Sequence, residues 1–279
     1  MLLSAKPYVE KKIAELKERV SVLDRKPKLA IIQVEGNPAS DKYVNNKMKR
    51  CAEVGIDVRL CYYGKDVDFV TLTEKIMELN TEREITGILL QLPLPDNLKI
   101  YTEALISQIA PHKDVDGLTT ENIGRLSQGL SCIKPCTPKG IIDLLEFYNI
   151  PIEGKDVLII NRSDLVGKPL AQLFLQKGAT VTIAHSKTRN LHGKIFRSDI
   201  VVTGVGISNF LADEDFIGNT TIVDVSINFE NGKMRGDIVK EDYDILAERC
   251  NLTPVPGGVG QTTVIALLDT LVELAEMGF

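Results

Sequence analysis

The stretch Leu29-Ala30-Ile31-Ile32-Gln33-Val34, followed by Gly36-Asn37-Pro38 and then Ser40-Asp41-Lys42-Tyr43-Val44-Asn45-Asn46-Lys47, decides how the chain folds. The apolar run reads as a buried strand, the Gly-Asn-Pro break ends it, and a helical stretch opens near Ser40, whose hydroxyl suits an N-cap. Outward from this pair the pattern repeats. Strand-like runs lie at 57–63 and 87–92, with helical stretches near 40–53 and 69–80. Strands alternating with helical crossovers imply a parallel sheet. Upstream, residues 5–23 carry a helical pattern with Val9, Ile13, Leu16 and Val20 on one apolar stripe.

A second series follows Pro135-Cys136-Thr137-Pro138. It predicts a helix near 138–148, a strand over 156–160, a helix near 167–177, and strands over 180–184, 200–203 and 221–225. This is again a doubly wound pattern and suits a dinucleotide-binding domain. A strongly apolar helix over 262–277 then returns to the first domain, giving two expected chain crossings. The expected fold class is α/β with two doubly wound domains, the second Rossmann-like. Residues 1–136 plus 262–279 form one domain and 137–261 the other.

The bulk numbers exclude several classes. A 279-residue chain that is 44% hydrophobic and 25% charged is an ordinary globular sequence, long enough for two cores. A net charge of −5 leaves no basic footprint for nucleic acid. No apolar run approaches the roughly 18–20 residues that span a bilayer. The opening M-L-L-S-A-K-P-Y-V-E-K-K turns charged too early for a secretory signal, so a cytoplasmic address is expected. The five cysteines form no C-x-x-C, and none of the three histidines adjoins a cysteine. Reduced thiols and no metal site are the expectation.

Tyr43 and Lys47 stand i, i+4, which puts a phenol and an ammonium on one helix face. If Lys47 lines a partly apolar cleft, desolvation lowers its pKa and lets it exchange protons near neutral pH. The same helix also carries Lys42, Lys49 and Arg50, so from this helix alone a solvated face is the simpler reading. Gln91 ends an apolar strand in G-I-L-L-Q-L-P-L-P, where sheets of this kind bind ligands, and can orient a lysine or a water. Otherwise it is a polar strand end. Asp116, in K-D-V-D-G, can accept two N–H bonds from an amidine-like heterocycle edge, or simply belong to an Asp-Gly turn. In N-R-S-D-L-V-G at 161–167, Arg162 and Ser163 sit where a phosphate-binding turn would fall. With Ser186 after the next strand, they could hold a ribose phosphate and favour NADP. The stretch does not match G-x-G-x-x-G, and Arg162 reads as well as a surface ion pair. Pro254-Val255-Pro256-Gly257-Gly258-Val259-Gly260 puts three glycines before a helix, allowing close backbone approach to a flat ligand.

Taken together, these stretches resemble the bifunctional methylenetetrahydrofolate dehydrogenase/cyclohydrolase family over nearly the whole chain. The resemblance rests on G-N-P-A-S-D-K-Y-V-N-N-K at 36–47, G-I-L-L-Q-L-P-L-P at 87–95 and P-H-K-D-V-D-G at 111–117. It continues through P-C-T-P-K-G at 135–140, R-S-D-L-V-G-K-P at 162–169, H-S-K-T at 185–188 and T-P-V-P-G-G-V-G at 253–260. It implies oxidation of methylenetetrahydrofolate by NADP and hydrolysis of the methenyl product to formyltetrahydrofolate, in a cleft between the two domains. It makes Lys47 the key group of the hydrolysis, assisted by Gln91, with Tyr43 flanking the folate. Asp116 would bind the pterin edge, and Pro256, Gly257 and Gly258 would join the substrate site. Asn161, Arg162, Ser163, Ser186, Gly206 and Ile227 would contact the cofactor. A homodimer is also implied.

Four positions depart from the family pattern. Asn161 stands where glycine is usual, with a tolerance for left-handed backbone but a side chain that could crowd the cofactor. Ser208 replaces a proline, Ser226 a glycine, and Gln261-Thr262-Thr263 the common Pro-Met-Thr. Three of the four fall on the cofactor side. A cyclohydrolase with weak or NAD-dependent dehydrogenase activity, and a folate-binding protein without turnover, are the competing readings.

Overall fold

Six of the seven residues of the first strand, β1 (Lys28–Val34), are buried, because the run offers solvent no polar face. The structure, a computed structural model, describes residues 1–36, 38–230 and 232–278. After helix α1 (Ala5–Ser21) and β1 come α2 (Pro38–Val54), β2 (Asp57–Tyr63), α3 (Phe69–Thr81) and β3 (Gly87–Leu90). Short helices α4 (Asp96–Lys99), α5 (Thr102–Ile106) and α6 (Thr120–Ser127) lead to α7 (Cys136–Phe147). Next are β4 (Asp156–Ile160), α8 (Gly167–Gln176), β5 (Thr180–Ala184), α9 (Leu191–Ile195), β6 (Ile200–Thr203) and β7 (Thr221–Asp224). A hairpin of β8 (Asn228–Glu230) and β9 (Lys233–Arg235), then α10 (Tyr243–Arg249), β10 (Asn251–Leu252) and α11 (Val259–Glu276), complete the chain.

The chain forms two compact units. One comprises Lys11–Cys136 with Val264–Phe279, the other Met1–Glu10 with Thr137–Thr263. The first ten residues therefore go with the second unit, and the chain passes between units three times where the sequence suggested two. The reason is local: Leu3 N–H donates to Leu252 O at 2.8 Å and Leu252 N–H to Met1 O at 3.0 Å, adding a strand-like edge beside β10.

In the first unit the sheet is parallel with order β2-β1-β3. The chain leaves β1 for one neighbour and crosses back to the other, so the switch point lies between the carboxyl ends of β1 and β3. Ala30, Ile32, Leu72, Ile76, Leu79, Ile88 and Leu90 form its buried core. Ser40, expected as an N-cap, lies inside the first turn of α2 and is buried; Asn37 of the Gly-Asn-Pro break is outside the described residues.

In the second unit five parallel strands run in the order β10-β7-β6-β4-β5. Read from its own first strand this is the 2-1-3-4-5 order of doubly wound nucleotide-binding sheets, with the switch point between β4 and β6. Leu158, Ile160, Val201, Ile222, Leu246 and Leu252 pack its core. The last helix starts three residues earlier than expected, at Val259, so Val259 and Gly260 are helical.

Candidate functional site

The switch point of the first unit gathers four side chains from three segments: α2, the end of β3 and the loop that carries Asp116. Lys47 follows from α2, and its ammonium donates to Gln91 Oε1 at 2.9 Å. Gln91 lies just past β3, where its N–H still pairs with Ile32 O at 2.9 Å. Its own Nε2 donates to Leu92 O at 2.6 Å, so the carboxamide is held at both ends and its oxygen faces the lysine. Tyr43 and Lys47 are both half-buried, one turn apart on α2. Burial raises the Tyr43 phenol above its ordinary value, keeping it a neutral donor.

Asp116 reaches this group through a loop forced into place by packing. Gly117 sits at φ +66°, and a Cβ there would lie 2.6 Å from the Lys134 carbonyl carbon, so the loop passes directly over the segment before α7. The crossing sets Asp116 beside Cys136, whose thiol donates to Val115 O at 3.2 Å and whose proximity slightly favours the ionised Asp116 carboxylate. Protein surrounds Asp116 on nearly every side, while part of its surface stays open. Burial pushes its carboxyl up; the Lys47 ammonium opposes that shift and the Asp114 carboxylate adds to it. Asp114 is itself 1% exposed and accepts from Thr119 N–H at 2.7 Å and Asn122 Nδ2 at 3.0 Å. Sequence reasoning missed Cys136, treating it as an inert thiol, and nothing local marks its pairing with a residue twenty positions away. Its placement between two prolines within P-C-T-P was the available signal.

The other expected residues belong to the second unit. At the carboxyl end of β4, Asn161 is not in the left-handed region, so its tolerance of that conformation explains nothing here. Its carboxamide is used instead. Oδ1 accepts from Ser163 N–H at 2.8 Å, Ser163 Oγ at 2.7 Å and Gly167 N–H at 3.2 Å, and Nδ2 donates to Gly204 O at 2.6 Å. Arg162 and Ser163 are exposed beside it. A tight turn closed by Thr188 N–H to His185 O at 2.7 Å leaves Ser186 and Lys187 exposed at the end of β5. No ionic partner of Arg162 or Lys187 occurs among the described residues. Unpaired cations and a free hydroxyl at the carboxyl ends of β4 and β5 fit a dinucleotide with an extra ribose phosphate.

Gly206 lies in the loop after β6. Its N–H is shared between Ser226 Oγ and Asp237 Oδ1, each at 3.0 Å. Asp237, fully buried, also accepts from Thr203 Oγ1, Val205 N–H and Ile207 N–H at 2.7–3.0 Å. Sequence reasoning did not single it out, since a lone Asp after a hairpin carries no pattern. Ile227 is 3.6 Å from where a Gly260 side chain would begin. Pro256, Gly257 and Gly258 also belong to this unit, and Gly257, at φ +111°, directs its carbonyl to Ala5 N–H at 2.8 Å.

Asp224, at the end of β7, is 1% exposed, and burial pushes its carboxyl up to about 6 despite N–H bonds from Ser226 and Ile238, each at 3.0 Å. Its folded pKa exceeds its unfolded one, so its contribution to stability is present at low pH and lost as pH rises through 6. Between pH 7 and pH 5 the wild type should gain about 1 kcal/mol relative to Asp224→Asn. Urea unfolding of both proteins at the two pH values checks this; a constant difference would refute it.

Two doubly wound units, one with an ammonium–carboxamide pair at its switch point and one with a nucleotide-type sheet order, define a class. It is the two-domain α/β oxidoreductases that carry catalytic groups on a domain of their own. The family models follow this division in the main: the tetrahydrofolate dehydrogenase/cyclohydrolase catalytic domain matches residues 3–116, and the NAD(P)-binding domain of the same family matches 135–279, a span that also takes in the last helix of the first unit. The chain belongs to the tetrahydrofolate dehydrogenase/cyclohydrolase family. It is 41% identical over 267 residues to the bifunctional protein FolD of Nitrosomonas europaea, covering 94% of this chain and 89% of that protein. The crystal structure of bifunctional FolD from Campylobacter jejuni superposes with a TM-score of 0.95 at 38% identity, covering 100% of this chain and 99% of that one. The Trypanosoma brucei enzyme, solved with NADP cofactor and an inhibitor, gives 0.93 at 29% identity over 100% of this chain and 98% of that one.

Proposed function

We propose that this protein oxidises methylenetetrahydrofolate to methenyltetrahydrofolate with NADP and then hydrolyses the product to formyltetrahydrofolate, within one-carbon metabolism. The observation that carries the reading is the 2.9 Å bond from Lys47 to Gln91 beside the half-buried Asp116 carboxylate. Hydrolysis forms a bond from a water oxygen to the methenyl carbon and then breaks one of that carbon's two bonds to nitrogen. Water loses one proton to solvent as it adds, which cancels the charge of the methenyl cation. Its second proton leaves as the formyl C=O forms and passes to the departing nitrogen. Lys47 is placed to hold and return that proton, with Gln91 fixing its direction and Tyr43 flanking the folate. Asp116 accepts the amino-pyrimidine edge of the pterin, whose N–H groups replace the water that burial removed.

NADP supplies the hydride acceptor when bound. Arg162, Ser163 and Ser186 hold its extra phosphate, and Asn161, Gly206 and Ile227 line its approach. Pro256, Gly257 and Gly258 join the substrate site. Hydride transfer needs orientation rather than a proton donor on the nicotinamide side. A homodimer and a cytoplasmic address complete the proposal, the first resting on the family resemblance and the second on composition. Among the described residues no helix is long and apolar enough to cross a membrane.

Absorbance-monitored turnover of methylenetetrahydrofolate with NADP and, separately, NAD tests this reading. Saturable NADP-dependent formation of the methenyl product, followed by its hydrolysis, is expected. No oxidation with either dinucleotide would overturn it.

A further inference from the structure

Both loops that flank the crevice between β4 and β6 spend backbone N–H groups inside the protein. At the start of α8, Gly167 N–H goes to Asn161 Oδ1 at 3.2 Å, Val166 N–H to Ser163 Oγ at 3.2 Å and Lys168 N–H to Ser163 O at 3.1 Å. Pro169 has none, and Leu170 N–H already bonds Val166 O at 2.9 Å. Across the crevice, Val205, Gly206 and Ile207 give their N–H groups to Asp237. The Asn161 carboxamide joins the two sides, its oxygen on the helix end and its nitrogen on Gly204 O.

In doubly wound domains the N–H groups at the first helix are the ordinary seat of a dinucleotide's pyrophosphate. Here neutral oxygens of the chain itself sit on them, two from Ser163 and, on Gly167 N–H, the Asn161 carboxamide. We infer that Asn161 lowers the affinity for both dinucleotides by withholding a pyrophosphate contact that NAD and NADP have in common. Binding then depends on the ribose phosphate that only NADP carries and on the exposed Arg162 and Ser186. The inference rests on the assignment of this crevice to the dinucleotide. The buried Asp237 strengthens it, because an anion at the β6 loop meets a carboxylate and no free donor on Val205, Gly206 or Ile207. Asn161 holds no left-handed φ, so alanine or glycine there removes the carboxamide and leaves the backbone path intact.

Calorimetric titration of wild type, Asn161→Ala and Asn161→Gly with NADP, NAD and inorganic pyrophosphate decides the matter. Wild type should bind NADP, bind NAD far more weakly and show no heat with pyrophosphate. Both variants should tighten for both dinucleotides in parallel, by about tenfold, the worth of one bond to a charged group. Pyrophosphate should begin to compete with NADP. In the ligand-free variants, hydrogen exchange at the Gly167 amide should speed up. Arg162→Ala should weaken NADP and leave NAD unchanged. Weaker or unaltered dinucleotide binding in both Asn161 variants would overturn the inference while leaving the crevice a dinucleotide site. If wild type bound neither dinucleotide, the assignment of the crevice would fall first.

Discussion

Lys47→Ala is expected to slow hydrolysis of methenyltetrahydrofolate about a thousandfold, the usual worth of a positioned proton-transfer group, while NADP-dependent oxidation falls much less. The asymmetry follows from the chemistry of the two steps. Hydrolysis requires a proton to leave water and reach a departing nitrogen. Oxidation requires only that the donor carbon be held in line with its acceptor. Gln91 loses its partner in the variant but keeps its bond to Leu92 O, so the strand end stays in place. Decay of methenyl absorbance measures one step and its appearance with NADP the other. Hydrolysis within a few fold of wild type would remove Lys47 from the proposed role. Equal inactivity of both proteins in both steps would favour a folate-binding protein without turnover.

Gly167→Ala should be a strongly damaging change in the second unit despite the small size of the added group. A Cβ at this position would lie 2.1 Å from Asn161 O and 2.5 Å from its carbonyl carbon. These are backbone atoms at the end of β4, and no rotamer change can move them aside. The strand and the start of α8 must separate, costing about 3 kcal/mol and breaking the helix-end bonds that organise the crevice. A urea titration should show the lowered midpoint, and NADP titration of the folded variant should show binding lost. A midpoint unchanged from wild type would mean that the close approach is not rigid.

Much of this architecture was legible because parallel strands buried on both faces leave continuous apolar runs. Residues 156–160 and 200–203, almost wholly buried, are strands with the expected bounds. The mostly exposed edge strand 180–184 was legible instead from its β-branched Thr-Val-Thr-Ile run, and the alternation of strands with helices indicated the doubly wound order. The third strand was read two residues too long, since Gln91 and Leu92 continue the apolar text while the chain has already left the ladder. α6 escaped notice because its eight residues bring only Ile123 and Leu126 as large apolar side chains. At the candidate site, the local i, i+4 relation of Tyr43 and Lys47 could be read directly. The meeting of Asp116 with Cys136 could not, since it depends on where a loop crosses another segment. For Asn161 the sequence suggested a tolerant backbone and a side chain that could crowd the cofactor, whereas the structure spends that side chain on bonds within the protein. Substitution patterns report where a residue is unusual, and only coordinates show which of its atoms matters.

The order in which a ribosome delivers this chain bears on how it folds. The sheet of the first unit is fully synthesised by residue 90, yet β3 needs the chain's last helix: a Cβ on Gly87 would lie 2.8 Å from Leu271 Cδ2. That unit therefore waits, with part of an apolar sheet uncovered, until the second unit's strands have been made and the final turns emerge. A premature stop anywhere before α11 would strip the first unit of its cover, however far from Lys47 the missing residues lie in sequence. Neither unit can be expressed as one uninterrupted gene segment.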